Sequence, residues 1–138
     1  MRGGCHERPP ATRAGFPHAK FAEFHEAGKI ACALCHGVSL LCYTKLRNGA
    51  YLAKSKTVTG FANVEEDFAD NAFWSMNLLS RDRHVMPWRI EHELKKLGAN
   101  YIQAGRWRGF ACRDGNLNTG QQKFRELNCG LVGRALCE

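Results

Sequence analysis

Apolar and polar residues alternate along this chain with two different periods, and the periods predict alternating helices and strands. Residues 18–29, HAKFAEFHEAGK, carry apolar side chains at helical spacing and end near Gly28, a residue suited to the left-handed conformation that terminates helices. The following KIACAL is almost uniformly apolar, which is typical of a strand buried on both faces of a parallel sheet. Helical spacing then returns at Val38, Leu41, Cys42 and Leu46. We therefore predict a strand, a sharp turn at residues 35–37, and a helix to about residue 46.

The helices of the second half have recognisable ends. NVEEDFAD predicts a capped helical turn, with Asn63 as the cap before two acidic residues. MPWRIEHELKKLG predicts a helix with Pro87 near its first position and Gly98 as its stop. The pattern of residues 71–85 is ambiguous. A final helix is predicted from about residue 121 to residue 136.

Two further segments predict strands. NYIQAG is a short extended piece, and GFACRDGNLNTG predicts a hairpin in which Asp114-Gly115 supplies the positive φ of a tight turn. Strands that alternate with helices indicate an α/β sandwich.

The length, composition and net charge of the chain limit which kinds of protein it can be. A chain of 138 residues with 44% hydrophobic content is the size of one domain, and residues 1–17, rich in Gly, Pro and Arg, are predicted to be loop or partly disordered. No apolar run is long enough for a signal peptide or a membrane span, so we expect a cytoplasmic protein with no membrane partner. The net charge of +7 is spread along the chain among acids, which leaves nucleic-acid binding as a minor alternative.

The cysteines and histidines do not form a metal-binding pattern. Seven cysteines at irregular spacing argue against a secreted disulfide scaffold, and we expect most of them to be reduced core thiols. The six histidines show no zinc spacing with the cysteines. We predict neither a metal nor a cofactor.

The segment CALCH permits three interpretations. Cys32 and Cys35 form the C-x-x-C of thiol redox proteins, and His36 extends it to the pattern that attaches a c-type haem. A covalent haem requires export and a second axial ligand, and a redox motif requires its first thiol at a helix N-terminus, whereas Cys32 falls inside the predicted strand.

The third interpretation is a nucleophile elbow at Cys35. The thiol would stand on a strained turn between strand and helix, with Gly37 allowing the tight turn and His36 as a base or thiolate partner. A buried core cysteine beside an incidental histidine is the open alternative.

Four segments together resemble one family. EAGKIACALCHG, KTVTGFANVEED, PWRIEHELKKLGANY and RDGNLNTGQ occur in this order in the ThiJ/PfpI family of the class I glutamine amidotransferase-like superfamily, in its C-terminal half. The resemblance implies a flavodoxin-like three-layer sandwich with a mostly parallel sheet, truncated at its N-terminal side, with residues 18–138 as a partial domain. It also implies a homodimer. The activities it implies are glutathione-independent glyoxalase, deglycase, holding chaperone and, in some branches, peptidase.

The resemblance assigns site residues one by one. Cys35 matches the elbow nucleophile and His36 the histidine that follows it, while Glu65 fits the acid of a Cys-His-Glu triad best, with Glu66 as the alternative. Gly4 matches a glycine of the oxyanion-hole loop, and Gly37 belongs to the pocket. The implied substrate is a small aldehyde such as methylglyoxal, converted to lactate. The alternative is a non-catalytic redox-sensing or chaperone-like protein that binds unfolded clients, or an inactive fragment.

Overall fold

A computed structural model describes residues 15–122 of the chain, so the predicted final helix and Gly4 lie outside the described residues. Helix α1 spans Gly15–Glu26, strand β1 spans Ala31–Leu34, and a 3₁₀ helix spans Cys35–Cys42. Helix α1 therefore begins inside the segment assigned to loop. Its Pro17 lies in the first turn, where a missing N–H breaks no helical hydrogen bond.

Two small sheets follow from the remaining strands. Strand β2 spans Thr57–Val58 and pairs in parallel with β3 at Asn100–Tyr101. Strand β4 spans Ala111–Asp114 and pairs antiparallel with β5 at Leu117–Gly120. Strand β5 in turn pairs in parallel with β1, which makes the order β1-β5-β4. The α/β class is confirmed, with two parallel pairings and one antiparallel hairpin among the described strands.

The hairpin turns one residue later than predicted. Asp114 pairs with Leu117, so the two-residue loop is Gly115-Asn116, and Gly115 alone supplies the positive φ, at 63°. Asp114 instead accepts the backbone N–H of Thr57 at 2.7 Å and pairs with Lys56 Nζ at 3.0 Å. The carboxylate therefore links the hairpin to β2.

The helices differ from the sequence prediction mainly at their starts. Helix α2 spans Asn63–Ser75, which resolves part of the ambiguous segment, and its N-cap is Ala62 instead of Asn63. Helix α3 spans Ile90–Lys96, so Pro87 precedes it, while Gly98 follows it with φ 86° as predicted. No helix within residues 15–122 combines the length and apolar character needed to cross a bilayer.

The segment after β1 winds more tightly than the predicted α-helix. It begins at Cys35 and ends at Cys42, four residues short of the predicted end. Its last turn is closed by Tyr43, whose N–H bonds the Leu40 carbonyl three residues back, the pattern of a 3₁₀ helix. Thr44 then donates its hydroxyl to the same carbonyl at 2.9 Å. The helix is thus stopped by local hydrogen bonds that apolar periodicity does not reveal.

The core lies where the 3₁₀ helix, α3 and the strands meet. Its fully buried members include Val38 and Leu41 of the 3₁₀ helix, Val58 of β2, Ile90 and Leu94 of α3, and Leu52 of the segment between the 3₁₀ helix and β2. Gly60 allows the loop before α2 to approach this core, because a Cβ there would lie 2.9 Å from Val38 Cβ. The loop that leads into α2 and its acidic residues is therefore held against the 3₁₀ helix.

Two expectations about the cysteines are wrong for the described residues. Cys32 is exposed on β1, so this strand is not buried on both faces. Of the four cysteines in the described range only Cys42 is buried, and Cys35 and Cys112 are half-buried. Successive side chains of a strand point to opposite faces, so Cys32 lies on the face opposite Ala31 and Ala33. Those two alanines are buried in the core.

Candidate active site

Cys35 occupies a strained position directly after β1. Its φ of 53° lies in the left-handed region, which a residue with a Cβ adopts only at a cost of about 1–3 kcal/mol. The Phe61 N–H bonds the Cys35 carbonyl at 3.3 Å and fastens the turn. Gly37 does not carry the positive φ, and a Cβ there would meet no atom within 4 Å. The turn thus depends on Cys35 itself, and the predicted role of Gly37 in tightening it is wrong.

His36 contacts the thiol that precedes it in sequence. Its Nδ1 lies 3.6 Å from Cys35 Sγ, within reach of a sulfur hydrogen bond. The imidazole stacks on the Phe61 ring with centroids 4.0 Å apart and planes inclined by 27°. The stacking holds the ring so that its other nitrogen, Nε2, is directed away from the cysteine.

That second nitrogen lies near Glu66. The distance from His36 Nε2 to Glu66 Oε1 is 3.9 Å, and Glu66 is buried. Among the residues that the structure describes, Glu66 Oε1 has no hydrogen-bond partner, whereas Oε2 accepts a hydrogen bond from Arg89 Nη1 at 2.8 Å. Sγ of the thiol lies next to Nδ1 of the imidazole, and Nε2 of the imidazole lies next to Oε1 of the carboxylate. This is the order of groups in a Cys-His-acid triad.

Glu65, the acid that the sequence favoured, has a different set of contacts. Its Oε2 accepts the Ala62 N–H at 3.0 Å, and its Oε1 accepts the Trp107 N–H at 2.8 Å. The side-chain amides of Gln121 and Gln122 also donate to Oε1, at 3.1 and 2.7 Å. These four donors hold a fully buried carboxylate that connects the start of α2 to two other segments. The geometry therefore favours Glu66 over Glu65 as the acid beside His36.

Burial shifts the pKa values of Glu66 and His36. Desolvation raises the pKa of Glu66 to about 7, although Arg89 opposes the rise. Desolvation also lowers the pKa of His36, and the nearby Glu65 carboxylate offsets part of that decrease. At neutral pH the imidazole is consequently neutral and able to accept a proton, while Glu66 lies close to its titration midpoint.

The thiol faces a small, mostly apolar pocket. The cavity has a volume of about 440 Å³ and is lined by Leu34, Cys35, His36, Gly37, Phe61, Trp107 and Gln122. Trp107 is half-exposed, adopts φ 59°, and packs edge-on against Phe61 and Phe68. Phe61 and Trp107 therefore form an aromatic part of the pocket lining. Gly37 is among the lining residues.

Sequence reasoning did not identify Arg89, Trp107 or Gln122. Arg89 carried one usable signal, since a charged residue stands directly between Trp88 and Ile90, both of which are buried. Trp107 and Gln122 carried no such signal in the sequence, because their roles depend on contacts with residues that are distant along the chain. Within residues 15–122, His, Cys, Asp and Glu form no cluster suited to a metal.

Comparison with known proteins relates the chain to glyoxalases. No protein-family model matches it. The glutathione-independent glyoxalase HSP31 of Saccharomyces cerevisiae is 30% identical over 118 residues, which cover 79% of this chain and 46% of the yeast protein. The glyoxalase III structure from Candida albicans superposes with a TM-score of 0.54 at 29% identity, over 71% of this chain and 39% of that one.

A second solved structure is also similar to this chain. The Rapid Encystment Protein 24 kDa of Francisella tularensis superposes with a TM-score of 0.66 at 28% identity, and the match covers 86% of this chain and 46% of that one. The chain therefore spans about half the length of the proteins that it resembles. Over that part, the predicted resemblance to the ThiJ/PfpI family is confirmed.

Proposed function

We propose that this chain, a relative of the ThiJ/PfpI glyoxalases, converts small reactive aldehydes with Cys35 as nucleophile, His36 as base and Glu66 as the acid partner. The observation that carries the proposal is the alignment of thiol, imidazole and carboxylate beside a pocket, with contacts of 3.6 and 3.9 Å. A strained left-handed residue at the nucleophile supports it, since such strain concentrates at functional sites.

The chemistry of a 2-oxoaldehyde fits these three groups. His36 takes the thiol proton, and Sγ bonds to the aldehyde carbon of methylglyoxal, whose oxygen is then protonated to give a hemithioacetal. His36 next removes the proton on that carbon to form an enediol, and reprotonation at the neighbouring carbon yields a lactoyl thioester. Water adds to the thioester, the C–S bond breaks, the thiol regains its proton, and lactate leaves. The reaction needs no external oxidant or reductant.

Glu66 has one task in this sequence. When ionised, its carboxylate stabilises the imidazolium that forms as the thiol proton moves to His36. The burial of Glu66 supports the same step, because a carboxylate shielded from water interacts more strongly with a nearby positive charge. The pocket volume of about 440 Å³ suits a small aldehyde.

The proposal is tested by incubating the purified chain with methylglyoxal in the absence of glutathione. We expect many molecules of lactate per protein molecule, measured by proton NMR or a lactate dehydrogenase assay. Heat-unfolded protein is the control, since it presents the same thiols and guanidinium groups without the site. Loss of aldehyde with no lactate, or equal loss with unfolded protein, would overturn the proposal.

The activity is expected to depend on pH through Glu66 and His36. Because the pKa of Glu66 is about 7, its stabilising charge is lost as the pH falls through 7, and kcat/KM should fall with it. His36 has a lowered pKa, so protonation of the base adds a second decrease at more acidic pH. A pH series of kcat/KM from 5.5 to 8.5 measures both. A flat profile across this range would contradict the assigned roles.

Other expectations of the resemblance remain predictions. These are the homodimer, the cytoplasmic location, deglycase or chaperone activity, and the oxyanion role of Gly4.

A further inference from the structure

A buried ionic cluster lies behind Glu66, on the side away from His36. Arg89 precedes α3 and is 6% exposed. Its Nη1 donates to Glu66 Oε2 at 2.8 Å, and its Nη2 donates to Asp67 Oδ1 at 3.0 Å and to Asp70 Oδ2. One guanidinium thus contacts three carboxylates of α2.

The guanidinium is itself held in place. Asp70, which is 1% exposed, contacts His84 Nδ1 through Oδ2 at 2.7 Å and accepts the Val85 N–H on Oδ1 at 2.7 Å. Asp70 therefore joins the segment before α3 to α2 and presents a fixed acceptor to Arg89. Because the N–H donors of a guanidinium lie in one plane at fixed angles, Arg89 contacts these three carboxylates together in one orientation.

This arrangement determines which oxygen of Glu66 faces the site. Arg89 occupies Oε2, which leaves Oε1 as the oxygen at 3.9 Å from His36 Nε2. The ionisable groups around Glu66 come from several elements: His36 of the 3₁₀ helix, Glu65, Asp67 and Asp70 of α2, Arg89 before α3, His84 through Asp70, and Tyr101 of β3. Among these, Arg89 is the residue whose side chain bonds Glu66 directly and carries a permanent positive charge.

We propose that Arg89 is a positioning residue for the site acid: it holds Glu66 with Oε1 towards His36 and stabilises the ionised carboxylate, while Asp70 orients the guanidinium. This inference rests on the proposed role of Glu66 in the triad. A purely structural arginine would affect folding without changing how the reactivity of Cys35 depends on pH.

The test measures the rate of iodoacetamide alkylation at Cys35 between pH 5.5 and 9, by peptide mass mapping, and requires no substrate. In Arg89→Met the carboxylate loses its cation, so Glu66 ionises only at higher pH and supports the imidazolium less at neutrality. We expect the alkylation profile to move up by about one pH unit and the rate at pH 7 to fall about three- to tenfold. Arg47→Met is the matched control, because Arg47 is largely exposed and pairs with Glu26. Its profile should equal that of the wild type.

A second pair of variants tests the proposed role of Arg89 even if Arg89→Met does not fold. Arg89→Lys keeps the charge but loses the fork geometry, and its effect is measured with either Glu66 or Glu66→Gln in the site. The proposal is supported if Arg89→Lys slows alkylation of Cys35 when Glu66 is present but causes no further slowing in the Glu66→Gln background. An equal effect in both backgrounds, or an Arg89→Met profile that matches the wild type, overturns it. Failure of lactate formation alone would overturn the proposed function and leave this result unchanged.

Discussion

Replacing Cys35 with alanine is expected to reduce lactate formation from methylglyoxal at least about 1,000-fold, to the level of unfolded protein. The loss is this large because every covalent intermediate of the proposed reaction is attached to Sγ. His36 and Glu66 have no other nucleophile to activate in the described pocket, since its remaining lining is apolar apart from the amide of Gln122. The measurement is the initial rate of lactate release under saturating aldehyde.

Cys32→Ala is the matched control for this experiment. Cys32 lies three positions earlier on β1, where it is exposed and does not line the pocket. Its removal should leave the rate within about twofold of wild type, because a surface substitution away from the site changes little. Equal rates for Cys35→Ala and wild type would contradict the proposed nucleophile.

The same position offers a measurement of the backbone strain. Cys35→Gly should be more stable than Cys35→Ala by about 1 kcal/mol, because glycine adopts a φ of 53° without the penalty that a Cβ brings. Urea denaturation of the two variants measures the difference in unfolding free energy. Equal stability would show that the elbow stores no strain.

The second large effect is expected at Glu65. Glu65→Gln should lower the free energy of unfolding by about 2–4 kcal/mol, because an amide places an NH₂ group against backbone and side-chain donors that now bond a carboxylate. Four donors converge on this buried group, so no rotation of the amide satisfies all of them. When the amide oxygen stays on the three donors at the Oε1 position, Trp107 included, the NH₂ group is set against the Ala62 N–H at the start of α2. Denaturant unfolding measures the resulting loss of stability.

Glu66→Gln is the matched comparison at the next residue. Within residues 15–122 Glu66 accepts a hydrogen bond from Arg89, and its pKa of about 7 means that it is already partly neutral at physiological pH. We therefore expect a smaller loss of stability than at Glu65 but a decrease of about 100-fold in kcat/KM. If Glu65→Gln folds normally and is inactive while Glu66→Gln is fully active, the roles of the two acids are exchanged.

The hydrophobic pattern was sufficient to predict the elements around the site. The apolar run before Cys35 forms β1, the glycines at 28 and 98 follow α1 and α3 with positive φ, and the strand-to-helix turn falls where the pattern changes period. Each of these features is local, since it depends on residues within one or two turns of each other. The α/β class and the family resemblance followed from the order of such segments.

Element ends were predicted less well, and the reason is visible in individual contacts. The helix after Cys35 ends early because Tyr43 and Thr44 both bond the Leu40 carbonyl. Asp114 looked like a turn residue but bonds β2, a segment more than fifty positions away in sequence. Hydrogen bonds of this kind compete with the local preferences that a pattern reports.

The sequence by itself determined that a cysteine-histidine pair follows an apolar strand and that two acids open a nearby helix. Only the tertiary structure decided between those acids. On a helix, adjacent residues point about 100° apart, so Glu65 and Glu66 face different surroundings although their sequence context is nearly the same. Glu65 faces Trp107, Gln121 and Gln122, and Glu66 faces His36 and Arg89. Those partners come from distant segments, and their convergence in the folded chain is what gives each carboxylate its role.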